Sequence, residues 1–406
     1  MRFSLQRWIS ISLFNLVIVA FIGIILRYKI VFSLPFLDQK HLLHGHSHFA
    51  FYGWITQVLM VLLVAYLAAR TKLDILKKYR WILFANLVTA YGMLIAFSMQ
   101  GYGVFSIMFS TLSVLVSYAF TIMYWRDLNK LQTRNVSHLW FKAALLFNAV
   151  STFGVFALAG MMITKIMNQH GYLAAEYFYL HFQYNGWFFF ACMGLFTELI
   201  SRFTLPGAAF KKIFWLFAFA AVPAYFLSTL WMPLPLWIYI LVVIAAFAQL
   251  AGWIWLVAIL KSKWLLLKDN ISPTAKRMLV LSSLALTTKL LLQTGSVIPS
   301  LSNLAFGFRP IVIGYLHLVL LGVITLFVLG YLFAEKYFSI NKMAAAGAIV
   351  FAGAVILNEV FLMAQGVAAI TYTVIPFINQ ILLGSALLLF SGALLIASSK
   401  KNILQK

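Results

Sequence analysis

Twelve apolar runs, each long enough to cross the hydrocarbon core of a bilayer as a helix of roughly 20 residues, follow one another along this chain with only short polar segments between them. They lie near 8–29, 46–69, 79–99, 102–125, 139–166, 175–200, 208–229, 233–260, 277–299, 310–334, 343–366 and 373–398. Such a series predicts an all-α integral membrane fold of twelve transmembrane helices, because a helix satisfies its own backbone groups where no water can. The charge content agrees: 9% of the 406 residues are charged, against roughly 25% in soluble chains. Water-soluble enzymes and secreted scaffolds are excluded on this ground. A lone cysteine, Cys192, excludes disulfides and cysteine-ligated zinc. The first run lacks a small-residue cleavage site and is long and aromatic, so it reads as a span and not as a signal peptide.

A formal charge of +22 would suggest a nucleic-acid partner in a soluble protein. Here it has a simpler origin, since lysine and arginine accumulate on the cytoplasmic side of membrane helices. With the N-terminus inside, the inner segments carry 24 of the 30 bases, from Arg2 and Arg7 through the groups at Arg70–Arg80, Arg126–Lys142, Arg202–Lys212 and Lys261–Arg277, to Lys336, Lys342 and the C-terminal lysines. The other six are Arg27, Lys29, Lys40, Lys165, Lys289 and Arg309. This asymmetry predicts both termini in the cytoplasm, and no nucleic acid is needed to explain the charge.

The second, sixth and tenth runs share a pattern. His48, His181 and His317 are each followed five residues later by a glycine: Gly53, Gly186 and Gly322. The histidines are 133 and 136 residues apart, about a third of the chain, and Asn15 and Asn148 each precede the next histidine by 33 residues. The third copy has Leu284 at that offset. The chain thus reads as a single membrane domain, 1–406, of three pseudo-equivalent four-helix units covering about 1–130, 131–266 and 267–406. All three histidines fall in the outer halves of their helices, at one depth. Ionisable groups within a bilayer usually mark function, and the small residue after each histidine lets another backbone or a flat ligand come close. The competing reading makes each a buried imidazole bonded to a neighbouring helix.

Residues 41–48 read His-Leu-Leu-His-Gly-His-Ser-His. On a helix His41, His44 and His48 share one face, whereas His46 lies about 200° from His48 and points the opposite way. One helix could then offer ligands to two prosthetic groups, haem iron or copper. His41, near the outer interface, reads as solvated, as do His138 and His170 at helix ends; His44 is open to either reading.

The string His46-Ser47-His48 with Gly53-Trp54 resembles the His-x-His-x4-Gly-Trp element of the cbb3-type oxidases. Twelve spans with histidines on the second, sixth and tenth look like the catalytic subunit of the haem–copper oxidase and nitric oxide reductase superfamily. The motif covers about ten residues per repeat; the topology covers the chain. The resemblance implies a bacterial inner (cytoplasmic) membrane protein with a haem b held by His48 and His317. It also implies copper at His181, with Tyr184 one turn on and His44 or His46 as further metal ligands, and an oxidoreductase role in a respiratory chain. A cytochrome c-type protein or a quinol would be the electron donor, and oxygen or nitric oxide the ligand.

The departures matter. The seventh run, 208–229, has no histidine, and Tyr315 stands two residues before His317, where the family carries a second histidine. The copper set is therefore degenerate and enzymatic turnover is in question. A non-enzymatic haem and copper protein of nitric oxide response, resembling the NnrS family, is the close alternative. A twelve-helix metal or solute transporter is the distant one, disfavoured by a parallel three-fold repeat whose signature helices lack internal proline. Lys289 in the ninth span and Glu359 in the eleventh, beside Asn358, suggest a proton path or a structural ion pair. Asn379 and Gln380 add polar groups in the twelfth.

Overall fold

A computed structural model describes the chain apart from residues 1–3, 72–73, 134, 167, 204–206, 265–269, 303–307, 338–340 and 400–406. Of the bases used for orientation, Arg2, Lys72, Arg134, Lys268, Lys400, Lys401 and Lys406 lie outside the described residues.

Among the described residues the protein is all-helical, without strands. Its principal helices are α1 (Leu5–Val31), α2 (Gln39–Ala68), α3 (Ile75–Gln100), α4 (Val104–Asn129), α5 (Val136–Ile163), α6 (169–201), α7 (Gly207–Ala221), α8 (Leu236–Ser262), α9 (Pro273–Gly295), α10 (Arg309–Ala334), α11 (Lys342–Ile370) and α12 (Ile378–Ser398). Ten of these, all but α6 and α7, are by themselves long and apolar enough to cross a membrane. The chain is thus a multi-pass membrane protein in contact with lipid. The short helix α7 runs into a 3-10 turn at Pro223–Thr229, bent by 43°, and the pair passes the same test together.

The bend has a local cause. Pro223 has no N–H to offer the turn before it, so the backbone tightens and Tyr225 N–H bonds the carbonyl of Val222 instead of that of Ala221. The second helix begins earlier than the apolar pattern predicts. Asp38 caps it by accepting the His41 backbone N–H at 2.8 Å, so all of His41–His48 is helical.

The chain divides into two compact units. One comprises Met1–Leu131, Pro273–Leu281 and Thr325–Lys406; the other comprises Gln132–Ser272 and Ser282–Ile324. The first two expected repeats each fall almost whole into one unit, whereas the third is shared between both. In the first unit α2 is central. Its most apolar stretch is 94% buried, against 28–50% for the flanking helices of that unit that lie whole within it. Helix α12 packs on α11 and α1, and α3 packs on α2 and α4. Gly347 and Gly392 bring α11 and α12 together so closely that an added Cβ at Gly392 would stand 2.6 Å from the Phe351 nitrogen. In the second unit α5 packs on α6, and α7 on α8. Tyr239 of α8 donates to the Val297 carbonyl at 2.9 Å, and Trp253 of α8 to Thr287 of α9 at 2.8 Å.

Candidate functional site: three histidines at the start of π-helical turns

Each of the three repeated histidines is the last α-helical residue before the backbone widens into a π-helix. The π segments are Phe49–Thr56 after His48, Phe182–Phe188 after His181 and Leu318–Thr325 after His317. Each contains the glycine that stands five residues beyond the histidine. A π-helix is uncommon and concentrates at functional sites. It also shifts carbonyls out of α-helical register, and inside a bilayer those carbonyls need new donors.

Polar residues from the preceding helix supply them. Asn15 on α1 donates to the Gly53 carbonyl at 2.5 Å and is held by the Tyr91 hydroxyl at 2.7 Å. Asn86 on α3 donates to the Tyr52 carbonyl at 3.0 Å and to Gln57 Oε1 at 2.8 Å. Ser282 on α9 donates to the Val323 carbonyl at 2.7 Å. In the second copy Gln183, inside the π segment, donates to Asn148 Oδ1 at 3.0 Å and Ser151 Oγ at 2.8 Å on α5. The Asn15 and Asn148 register noticed in the sequence thus corresponds to the struts of two π segments. In the third copy the strut is Ser282, two residues before Leu284.

The glycines admit side chains, not backbone. An added Cβ at Gly53 would meet the Phe49 ring at 2.5 Å, at Gly186 the Phe147 Cβ at 2.6 Å, and at Gly322 the Ala285 Cβ at 3.0 Å.

The histidines themselves differ. His181 is buried, at 3% exposure, and both its ring nitrogens have protein partners. Nε2 lies 2.8 Å from the Ala221 carbonyl and Nδ1 lies 3.2 Å from Asn185 Nδ2. A carbonyl only accepts, so Nε2 carries the proton and Nδ1 accepts from Asn185. The carbonyl it satisfies is the one released where α7 breaks at Pro223. His317 lies 2.8 Å from the Ile313 carbonyl through Nδ1. This places the proton on Nδ1 and the lone pair on Nε2, the arrangement by which backbone carbonyls orient metal-binding imidazoles.

His48 stacks flat on Phe97 of α3, centroids 4.2 Å apart and planes 4° apart. Neither of its ring nitrogens is hydrogen-bonded among the described residues. His44, one turn earlier, stands edge-on to Tyr102 at 4.8 Å, and its Nε2 is buried without a hydrogen-bond partner. His41 lies against Gly101, while His46 faces Gly23 of α1. The expected division of this cluster therefore holds, with His41, His44 and His48 toward α3 and its following turn and His46 toward α1.

Among the described residues no three His, Cys, Asp or Glu side chains are grouped to hold a metal ion. His138, expected to be solvated, is buried at 7% exposure in the first turn of α5. His170 is exposed and meets the edge of Trp231 at 5.2 Å. Tyr184 packs edge-on to Tyr315 at 6.5 Å. Lys289 donates to Gln293 Oε1 at 2.6 Å, and Glu359 accepts from Asn358 at 3.1 Å. Phe97, Asn86 and the Ala221 carbonyl were not singled out from the sequence. Pro223 within an apolar run was the available signal for the last of these.

No family model matches this chain. No curated protein matches it either. The resemblance to haem–copper oxidases therefore rests on its histidines, glycines and topology alone.

Proposed function

We propose that this protein is a haem-binding membrane protein of twelve spans, arranged as three pseudo-equivalent four-helix units with both termini in the cytoplasm. In this reading α6 and the bent pair of α7 and Pro223–Thr229 supply the two further crossings, and the membrane is the bacterial cytoplasmic one. The observation that carries the reading is the coincidence of all three repeated histidines with the onset of a π-helical turn. Three such coincidences at one sequence interval point to a shared, functionally retained geometry.

The imidazoles offered as axial ligands are His48 and His317. His48 has nitrogens not engaged by described protein groups, and a ring plane set by Phe97. His317 has its proton held on Nδ1 by the Ile313 carbonyl, which leaves Nε2 to coordinate. Near them the orphaned, buried Nε2 of His44 is a nitrogen for which the fold supplies no partner, as expected of a ligand or of a donor to a bound group. When bound, the haem supplies one-electron redox chemistry and an iron that can take oxygen or nitric oxide. The chain's own part is to orient the imidazoles, exclude water and set the local polarity. A cytochrome c-type protein or quinol is the proposed donor.

Between turnover and carriage, the second fits better. The seventh helix offers no histidine, and His181, the residue expected to bind copper, is engaged at both nitrogens. Copper there requires Asn185 to leave Nδ1. A haem protein of electron transfer or nitric oxide response, similar to NnrS proteins, is thus preferred to a copper-dependent oxidase.

The optical spectrum of the purified full chain tests this. A Soret band in the wild type, lost in His48→Ala and in His317→Ala while the protein still inserts, is the expected result. Absence of bound haem after expression with haem supply overturns it.

A further inference from the structure

The second unit contains a small cavity whose polar wall is built from donors. Lys289 of α9 stands on it with Gln249 of α8 and with Tyr184 and Asn185 of α6; Phe217 and Leu286 are among its apolar walls. The free space is about 10 Å³, on the order of one water-sized sphere. Lys289, Gln249 and Gln293 are each buried, at 5%, 6% and 6% exposure.

The hydrogen bonds fix which atoms remain. An ammonium has donors and no acceptor, so its 2.6 Å contact to Gln293 must use the amide oxygen. The Gln293 nitrogen then faces Gln249, whose oxygen accepts at 2.8 Å. The chain therefore runs in one direction, from Lys289 through Gln293 to Gln249, and consumes both amide oxygens. What is left over is the Gln249 NH₂ and the remaining ammonium protons. Asn185 has its own nitrogen directed at His181. Within this unit, among the described residues, no carboxylate forms an ion pair with Lys289. A charge at this depth costs at least about 2.5–3.5 kcal/mol unless it is compensated.

We infer that this cavity is a binding site for one small inorganic anion, held by the Lys289 ammonium and the Gln249 amide. A donor-rich, acceptor-poor pocket around a lysine with only a neutral amide as its protein partner is the converse of a cation site. Its volume selects for ions near the size of water. The site does not depend on the haem reading.

The test uses the purified full chain, titrated with chloride at constant ionic strength, reading the chloride NMR line width with fluoride and iodide as competitors. The expected result is a saturable broadening that fluoride displaces at lower concentration than iodide. It is lost in Lys289→Met and weakened roughly tenfold in Gln249→Leu, as for one hydrogen bond to a charged group. Thermal melts confirm that both variants are folded, and Lys289→Met removes a buried charge from an apolar wall, so it should fold. The same broadening in wild type and Lys289→Met assigns the effect to surface bases and overturns the site. So does a preference for iodide, or no saturable component in the wild type.

Discussion

The first and second copies of the histidine element begin from the same pattern and end in opposite chemical states. In both, a histidine opens a π segment, a glycine follows five residues later, and an asparagine lies 33 residues before. Yet His181 caps a carbonyl released by a proline bend and receives an amide on its other nitrogen. His48 has a phenyl ring against its face. The difference arises outside the motif. Pro223 breaks α7 beside His181, whereas the corresponding neighbour of His48 is the unbroken helix α3. An intramembrane imidazole is structural when a nearby backbone break needs a donor, and is left for a ligand when no break does.

The largest effect expected from this contrast is on bound haem. His48→Ala abolishes the Soret band, whereas His181→Ala leaves its position and intensity unchanged; loss of haem in both variants would break the distinction. Stability without haem should invert the order. His181→Ala strands the Ala221 carbonyl and is expected to cost about 1–3 kcal/mol. His48→Ala forfeits a ring contact with Phe97 worth about 0.5–1.5 kcal/mol. Unfolding midpoints of the two apoproteins, measured side by side, decide this; equal costs would mean that His181 is not acting as a cap.

Next come the glycines. Gly186→Ala places a Cβ 2.6 Å from the Phe147 Cβ, an atom that no rotamer change removes, whereas Gly322→Ala meets Ala285 at 3.0 Å. Overpacking of the first kind costs about 1–3 kcal/mol, and the second should be the milder in the same assay. Tolerance of alanine at Gly186 would show that the second π segment is not tightly seated.

The smallest effect is at the entrance of α2. The carboxyl of Asp38 titrates below its ordinary value because it accepts the His41 backbone N–H, with smaller effects from the charges of His41 and Lys29. A lowered folded value means the cap is at full strength above the ordinary carboxylate range and is lost as pH falls through the lowered value. Asp38→Ala should therefore speed amide exchange in the first turn, as should acidification of the wild type, with Asp38→Asn nearly silent at neutral pH. An unchanged exchange rate in Asp38→Ala would mean that the cap does not hold the histidine-bearing turn.

Membrane insertion, the helix positions and the three-fold interval were legible from residues 1–406 alone. Hydrophobic runs of spanning length and a sparse, one-sided set of bases admit few other folds. The facing of His41, His44 and His48 away from His46 was legible too, since helical spacing alone dictates it. The π segments were not, because their stability depends on donors such as Asn86 and Ser282 reaching across from other helices. Nor was the saturation of His181, which depends on a carbonyl 40 residues away in sequence. Local periodicity determines which residues share a helix face. Whether a buried nitrogen is left for a ligand depends on which neighbouring backbone groups lack partners, and only the packed tertiary structure decides that.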